Sequence, residues 1–271
     1  MMKGEYIMKS VDSTVLVDLM EKIINNSIEV VDLTHVLNEE TPVISLPDPF
    51  VDTKGFVIEQ ISKYDDNGPF FYWNNISLGE HCGTHFDAPV HWISGKDHQT
   101  VDQIHVKKLI GEACVIDIKK KCQEDPDYCL TIEDIKEYEK KYGEISAHSW
   151  VLIYTGWGEY IDDHDKFFNI GEDGQPHTPG TTVEAAKFLA NERNILGVGV
   201  ETVGTDAGIA ATFSTPFPNH YYMHEANKYG LASLTNLDKI SPRGSILIAS
   251  PLKIEGGSGS PMRVLALVDN S

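Results

Sequence analysis

Three histidines and one aspartate fall within eleven positions of SLGEHCGTHFDAPVHW, residues 77–92. They are His81, His85, Asp87 and His91, spaced H-x3-H-x-D-x3-H. Imidazole nitrogen and carboxylate oxygen together make a ligand set for Zn2+, Mn2+ or Fe2+. One histidine on a strand is ordinarily a surface or core residue; four ligand-type side chains around a single glycine point to a metal ion. An ion that such side chains hold with coordination positions left open lowers the pKa of a bound water, toward roughly 7 with zinc. That water can attack a carbonyl carbon while the ion polarises the carbonyl oxygen. A nearby imidazole can take a proton from the water and pass it to the leaving nitrogen or oxygen. No serine or cysteine nucleophile is required. A GxSxG elbow is absent, and strand alternation turns Cys82 away from the ligand face, into packing.

The spacing sets what the backbone must do. On an ideal strand His81 and His85 would stand roughly 13 Å apart, at the limit for two imidazoles sharing one ion. A helix would bring them together but turn Asp87 elsewhere, and Gly83 and Pro89 both oppose a helix. A strand bent at Cys82-Gly83-Thr84 meets every demand. His85 and Asp87, two apart, then share a face, and Pro89 keeps Ala88 extended so that His91 can return over the site.

The elements that carry this segment follow from periodicity. Residues 12–26 have helical spacing and 27–37 are β-branched, hence a strand. Residues 38–73 read as loops with short strands, and 74–81 as a strand entering the motif. Strands are predicted at 111–119, 149–157, 195–202, 245–254 and 262–268; the second of these, SWVLIYTGW, is apolar almost throughout, as for a strand covered on both faces. Helices are predicted at 131–143, capped by Thr131 and closed near Gly143, at 181–194, and at 224–230. The order suggests an α/β fold: a single domain of mixed sheets with a few helices, spanning 1–271 with 1–27 as an N-terminal helical extension. GGSGS (256–260) lies between two strands and reads as a turn or pocket loop.

Composition excludes several partners. The formal net charge of −19, from 22 basic and 41 acidic residues, repels nucleic acid and anionic membrane surfaces. No segment approaches the roughly 18 unbroken apolar residues of a membrane span. The first twenty residues place acids in their apolar part and lack a small-residue cleavage site, which argues against a secretory signal. Four cysteines in 271 residues, with no CxxC pair, read as reduced thiols of a cytoplasmic protein.

HCGTHFDAPVHW also resembles the H-x-G-T-H-x-D-x-P-x-H signature of the cyclase-like metal-dependent hydrolases, a family that includes bacterial kynurenine formamidases, isatin hydrolase and proteins named cyclases. The resemblance runs from about residue 28 onward, through VDLTHVL, YTGW (154–157), GVGVETVGTD (197–206) and GGSGSPMR (256–263). It implies a swivelling β/β/α fold, a homodimer or homotetramer, and a small carbonyl substrate: an amide, formamide or cyclic amide, the arylformamidase case belonging to tryptophan catabolism. By the same resemblance His81, His85 and Asp87 are metal ligands and His91 is a catalytic histidine outside that ligand set. The formamidase branch adds a second metal through a histidine and a later glutamate. His224 could supply the histidine, but Thr235 and Asn236 stand where the carboxylate would be, and Glu225 is wrongly spaced. One ion, Mn2+ or Zn2+, is therefore expected. Candidate pocket residues are Trp73, in the aromatic run before the motif, Trp157, His220 and His224 as polar contacts, and Arg263 for a substrate carboxylate; ordinary core or a surface ion pair is the alternative for Trp73 and Arg263. A non-catalytic metal-binding scaffold and a polyketide-type cyclase are the competing functions.

Overall fold

A computed structural model describes residues 14–46 and 49–270. In chain order they form α1 (Thr14–Ile24), β1 (Ile28–Asp32), β2 (Val57–Asp65), β3 (Gly68–Ser77), β4 (His85–Asp87), β5 (Ile110–Asp117), α2 (Lys119–Glu124), β6 (Cys129–Leu130), α3 (Ile132–Tyr142), β7 (Trp150–Tyr154), α4 (His164–Phe168), β8 (Gly180–Thr181), α5 (Val183–Glu192), β9 (Gly197–Val200), α6 (Pro218–Glu225), β10 (Tyr229–Ala232), β11 (Ser245–Pro251) and β12 (Gly259–Asp269), joined by loops and short 3-10 turns. The helix expected over 12–26 begins within the described residues at Thr14; residues 1–13 lie outside them.

The principal sheet has eight strands in the order β1-β12-β11-β5-β7-β9-β10-β4, and β4 pairs back onto β12. That last pairing closes the sheet on itself, which removes two strand edges that would otherwise be open. β5, β7, β9 and β10 run parallel; β4, β11, β12 and β1 join antiparallel. Two small pairs stand apart from it, the β2–β3 hairpin and β6–β8.

Alternation assigns the two faces. Ala113 and Val115 of β5 and Trp150 and Leu152 of β7 join Phe86, Tyr229, Leu231 and Leu247 in the interior of the closed sheet. Their neighbours Cys114, Ile116, Val151 and Ile153 point outward and are covered by Ile135 and Tyr138 of α3 and Phe188 and Leu189 of α5. The nearly unbroken apolar run of β7 thus reflects burial on both faces. α3 starts where expected: the Thr131 hydroxyl accepts from Asp134 N, and the Asp134 carboxylate accepts from Thr131 N.

Three expectations change. Residues 57–77 form a long hairpin rather than loops with short strands; both of its faces are largely exposed, so no clean apolar alternation marks it. The strand expected over 74–81 ends at Ser77, and turns lead into β4. The helix expected over 224–230 lies earlier, as α6, where Pro218 at its first turn fits the missing N–H there; Asn227 then takes a φ of 55° and the chain enters β10.

Candidate metal centre

β4 is only three residues long, yet it is held from both sides: Asp87 pairs with Gly230 of β10 and with Gly259 of β12, and His85 with Ala232 and Pro261. Phe86 points into the barrel, against Trp150 and Tyr229. Alternation therefore turns His85 and Asp87 together to the outer face. Before the strand the chain bends at Gly83, whose φ of +61° belongs to the left-handed region that glycine occupies without strain. The bend swings His81 back beside Asp87. After the strand, Ala88 is extended and Pro89–His91 form a 3-10 turn. This returns the His91 ring onto His81, stacked at 3.9 Å between centroids.

The ligand atoms converge. One donor atom from each of His81, His85 and Asp87 lies within 4.8 Å of the others. His81 Nδ1 is 2.8 Å and His85 Nε2 3.4 Å from the same carboxylate oxygen, Asp87 Oδ1. α6 supplies His220 and His224, which form a second trio with Asp87 under the same limit. His220 Nε2 stands 3.9 Å from Asp87 Oδ2. The rings of His220 and His224 are 5.5 and 6.1 Å from His91.

Hydrogen bonds outside the cluster leave lone pairs facing inward. His85 donates through Nδ1 to Gly83 O at 2.8 Å, and His224 through Nδ1 to Lys228 O at 3.1 Å. Nδ1 of His220 bonds the Asp206 carboxylate, which also accepts from the backbone N–H groups of Asn219 and His220. Buried polar groups are ordinarily paired. Here the buried His224 Nε2 and Asp87 Oδ2 have no hydrogen-bond partner. An orphaned imidazole nitrogen and an orphaned oxygen of a buried carboxylate are what a cation would satisfy, so the donor set fits a divalent metal ion.

Burial and charge set the protonation. Burial would raise Asp87, but His85 and His81 beside it hold it well below the usual carboxylate range. Burial pushes His91 down to about 2, against the attraction of Asp87 and helped by His81, His220 and His224. Burial takes His224 down to about 4. For His220 burial acts downward, but the Asp206 carboxylate overrides it and raises the group.

Of the residues read from the sequence, His81, His85, Asp87, His91, His220 and His224 converge in one cluster. Three others do not join it. Trp157 packs with Phe167 and Phe168 and donates its indole N–H to Phe167 O. Arg263 is paired with Asp32 on the surface. Trp73 is 52% exposed on the β2–β3 hairpin, edge-on to Phe71. The sequence reading missed Trp92, whose ring is 4.7 Å from that of His220, and Phe217, edge-on to Trp92 at 5.4 Å. It also missed Asp206. The one signal was position: Trp92 directly follows His91, and Asp206 ends the GVGVETVGTD segment. The suspected lack of a carboxylate for His224 also looks different in space. Thr235 and Asn236 bring none, but Asp87 faces His224 from β4.

A family model described as "Putative cyclase" matches residues 31–207. The chain belongs to the cyclase family. It is 48% identical to an isatin hydrolase of Roseibium aggregatum over 250 residues, 91% of this chain and 94% of the relative. It is 29% identical to a kynurenine formamidase of Salinibacter ruber over 194 residues, 70% of this chain and 77% of the relative. Among solved structures, an isatin hydrolase bound to the product analogue thioisatinate superposes with a TM-score of 0.93 at 46% identity, over 96% of this chain and 99% of the other. This family member is a metal-dependent hydrolase acting on carbon–nitrogen bonds other than peptide bonds, and its fold is the mixed α/β arrangement of its neighbours.

Proposed function

We propose that the substrate is a cyclic amide fused to an aromatic ring, of the isatin kind, with an N-formyl aryl amide as the second compound to assay. The identity to an isatin hydrolase supports the first more strongly than the formamidase relation supports the second. Trp92 and Phe217, two aromatic rings beside His220, suit a flat substrate.

The observation that carries the reading is a trio of metal-type ligands with one further imidazole, His91, stacked on it. His81, His85 and Asp87 would hold a single ion, Mn2+ or Zn2+. When bound, that ion supplies Lewis acidity toward a water and toward the carbonyl oxygen. His91, stacked on His81, is the imidazole we place to accept a proton from the water and deliver it to the departing nitrogen. We read one ion rather than two because Asp87 is the only carboxylate that either trio contains. Elemental analysis of the purified protein gives the metal and its stoichiometry.

His91→Ala tests the assignment. Full metal content with hydrolysis of isatin reduced by about 100-fold or more is the expected result. Unchanged hydrolysis would remove His91 from the chemistry. Product mass provides the second check: hydrolysis adds a water, whereas loss of a water would favour a cyclase.

The remaining features support a cytoplasmic, oligomeric protein of one domain over 1–271, with 1–27 as an extension; α1 buries none of its residues. All four cysteines are free thiols, in keeping with a reducing compartment. Among the described residues no helix is long and apolar enough to cross a membrane. A homodimer or homotetramer is supported by the β2–β3 hairpin, where Phe70 is 90% exposed and Phe71, Tyr72, Trp73 and Ile76 are open beside it. Hairpins of two strands are marginal alone, and apolar patches of this kind mark contact surfaces.

A further inference from the structure

His81 is the one member of the first trio that lies outside β4, so the strand pairing that aims His85 and Asp87 does not aim it. Its ring is instead met by the glycine-rich loop before β12. His81 Nε2 is 3.0 Å from Ser258 Oγ. The Ser258 hydroxyl donates to Glu80 Oε2 at 2.6 Å, and Ser258 N donates to the same oxygen at 3.1 Å. A hydroxyl has one hydrogen. Since that hydrogen goes to Glu80, Ser258 Oγ can only accept from His81, and His81 Nε2 must carry its N–H. The other ring nitrogen, Nδ1, is thereby turned toward Asp87 Oδ1 at 2.8 Å.

The loop is built for this approach. A Cβ at Gly259 would lie 2.4 Å from His81 Cε1 and 2.6 Å from Phe86 O, and one at Gly257 would lie 3.0 Å from Glu80 Oε1. A side chain at position 259 would strike the ring and the backbone, and one at 257 would crowd the Glu80 carboxylate. The loop is tied to the motif by Ala88 N donating to Ser258 O at 2.9 Å, and to the surface by Gly256 N donating to Asp102 Oδ1.

We propose that Glu80 and Ser258 are positioning residues for the metal: a carboxylate–hydroxyl chain that fixes His81 as the Nε2–H tautomer and so presents its Nδ1 lone pair to the ion. The proposal rests on the metal reading of the trio. It gives GGSGS a purpose, since the loop brings the hydroxyl to the ring. Because His91 stacks on His81, the same chain also steadies the proton acceptor.

The test is Zn2+ affinity by competition with a chromophoric chelator, for wild type, Ser258→Ala and Glu80→Gln, joined to 15N imidazole spectra of the Zn2+-loaded wild type. Both substitutions should weaken Zn2+ binding by about 10–100-fold, the usual effect of removing such an outer partner. The wild-type spectrum should place the His81 proton on Nε2, with zinc-bound Nδ1. Unchanged affinity in both variants would overturn the proposal, as would a His81 proton on Nδ1; the spectrum needs no variant to fold. Wild type that binds no Zn2+ at all would instead overturn the metal reading on which the proposal stands.

Discussion

Asp87 serves two sides of one cluster. Its Oδ1 is shared by His81 and His85, and its Oδ2 looks toward His220 Nε2 at 3.9 Å without a hydrogen bond. Gly230, opposite it in register, leaves the room: a Cβ there would come within 2.8 Å of Oδ2. Asp87→Asn removes the only anionic ligand in either trio while keeping its shape. Metal content of the variant should fall close to zero by elemental analysis, with the fold retained by circular dichroism; full metal retention would refute the ligand assignment. At this scale the sequence was most legible where chemistry is local. His81, His85, Asp87 and His91 could be read because one bend and one turn bring them together. Ser258 lies 177 residues from His81, and no periodicity connects the two. Asp206 was hidden for the same reason, since it is the fold that lays α6 against the end of β9.

Among the elements, α3 offers a test of how its start is fixed. Asp134 accepts from Thr131 N and from the Thr131 and Tyr128 hydroxyls, and it is paired with Lys121. Burial acts upward on its pKa, but these partners prevail and hold it below its ordinary 3.8. A carboxyl depressed in the folded state adds stability above its unfolded pKa and loses it as pH falls through the folded value. Asp134→Asn should therefore cost about 1–2 kcal/mol in urea denaturation at pH 7. The gap from wild type should narrow below about pH 4; a gap independent of pH would mean that packing rather than charge is lost. The Thr131 cap and Gly143 stop were plain in the sequence because caps are local. The β2–β3 hairpin was not, because an element whose faces are both exposed leaves no periodic trace of burial.

The whole molecule is organised around a sheet closed on itself, and Trp150 fills its interior against Phe86 and Tyr229. Trp150→Ala should cost about 3–5 kcal/mol by denaturant unfolding. It should also weaken metal binding, since Phe86 lies between His85 and Asp87. Stability lost with metal affinity intact would show that β4 holds its place without that contact. At the surface, Phe70→Ser combined with Trp73→Ser should shift the protein toward monomer in light scattering after size exclusion, and an unchanged mass would exclude the hairpin from the assembly.

β12 has three neighbours, β11 on one edge and β4 followed by β1 on the other. It is also translated after every other strand of the sheet. During synthesis β4 can lean only on β10, and the hydroxyl beside His81 arrives just ahead of β12 itself. A nascent chain stopped before residue 256 thus carries all four motif histidine and aspartate side chains without the clasp that aligns them. On the metal reading, loading with the ion follows closure, and a truncated product should hold the metal more weakly than the full chain.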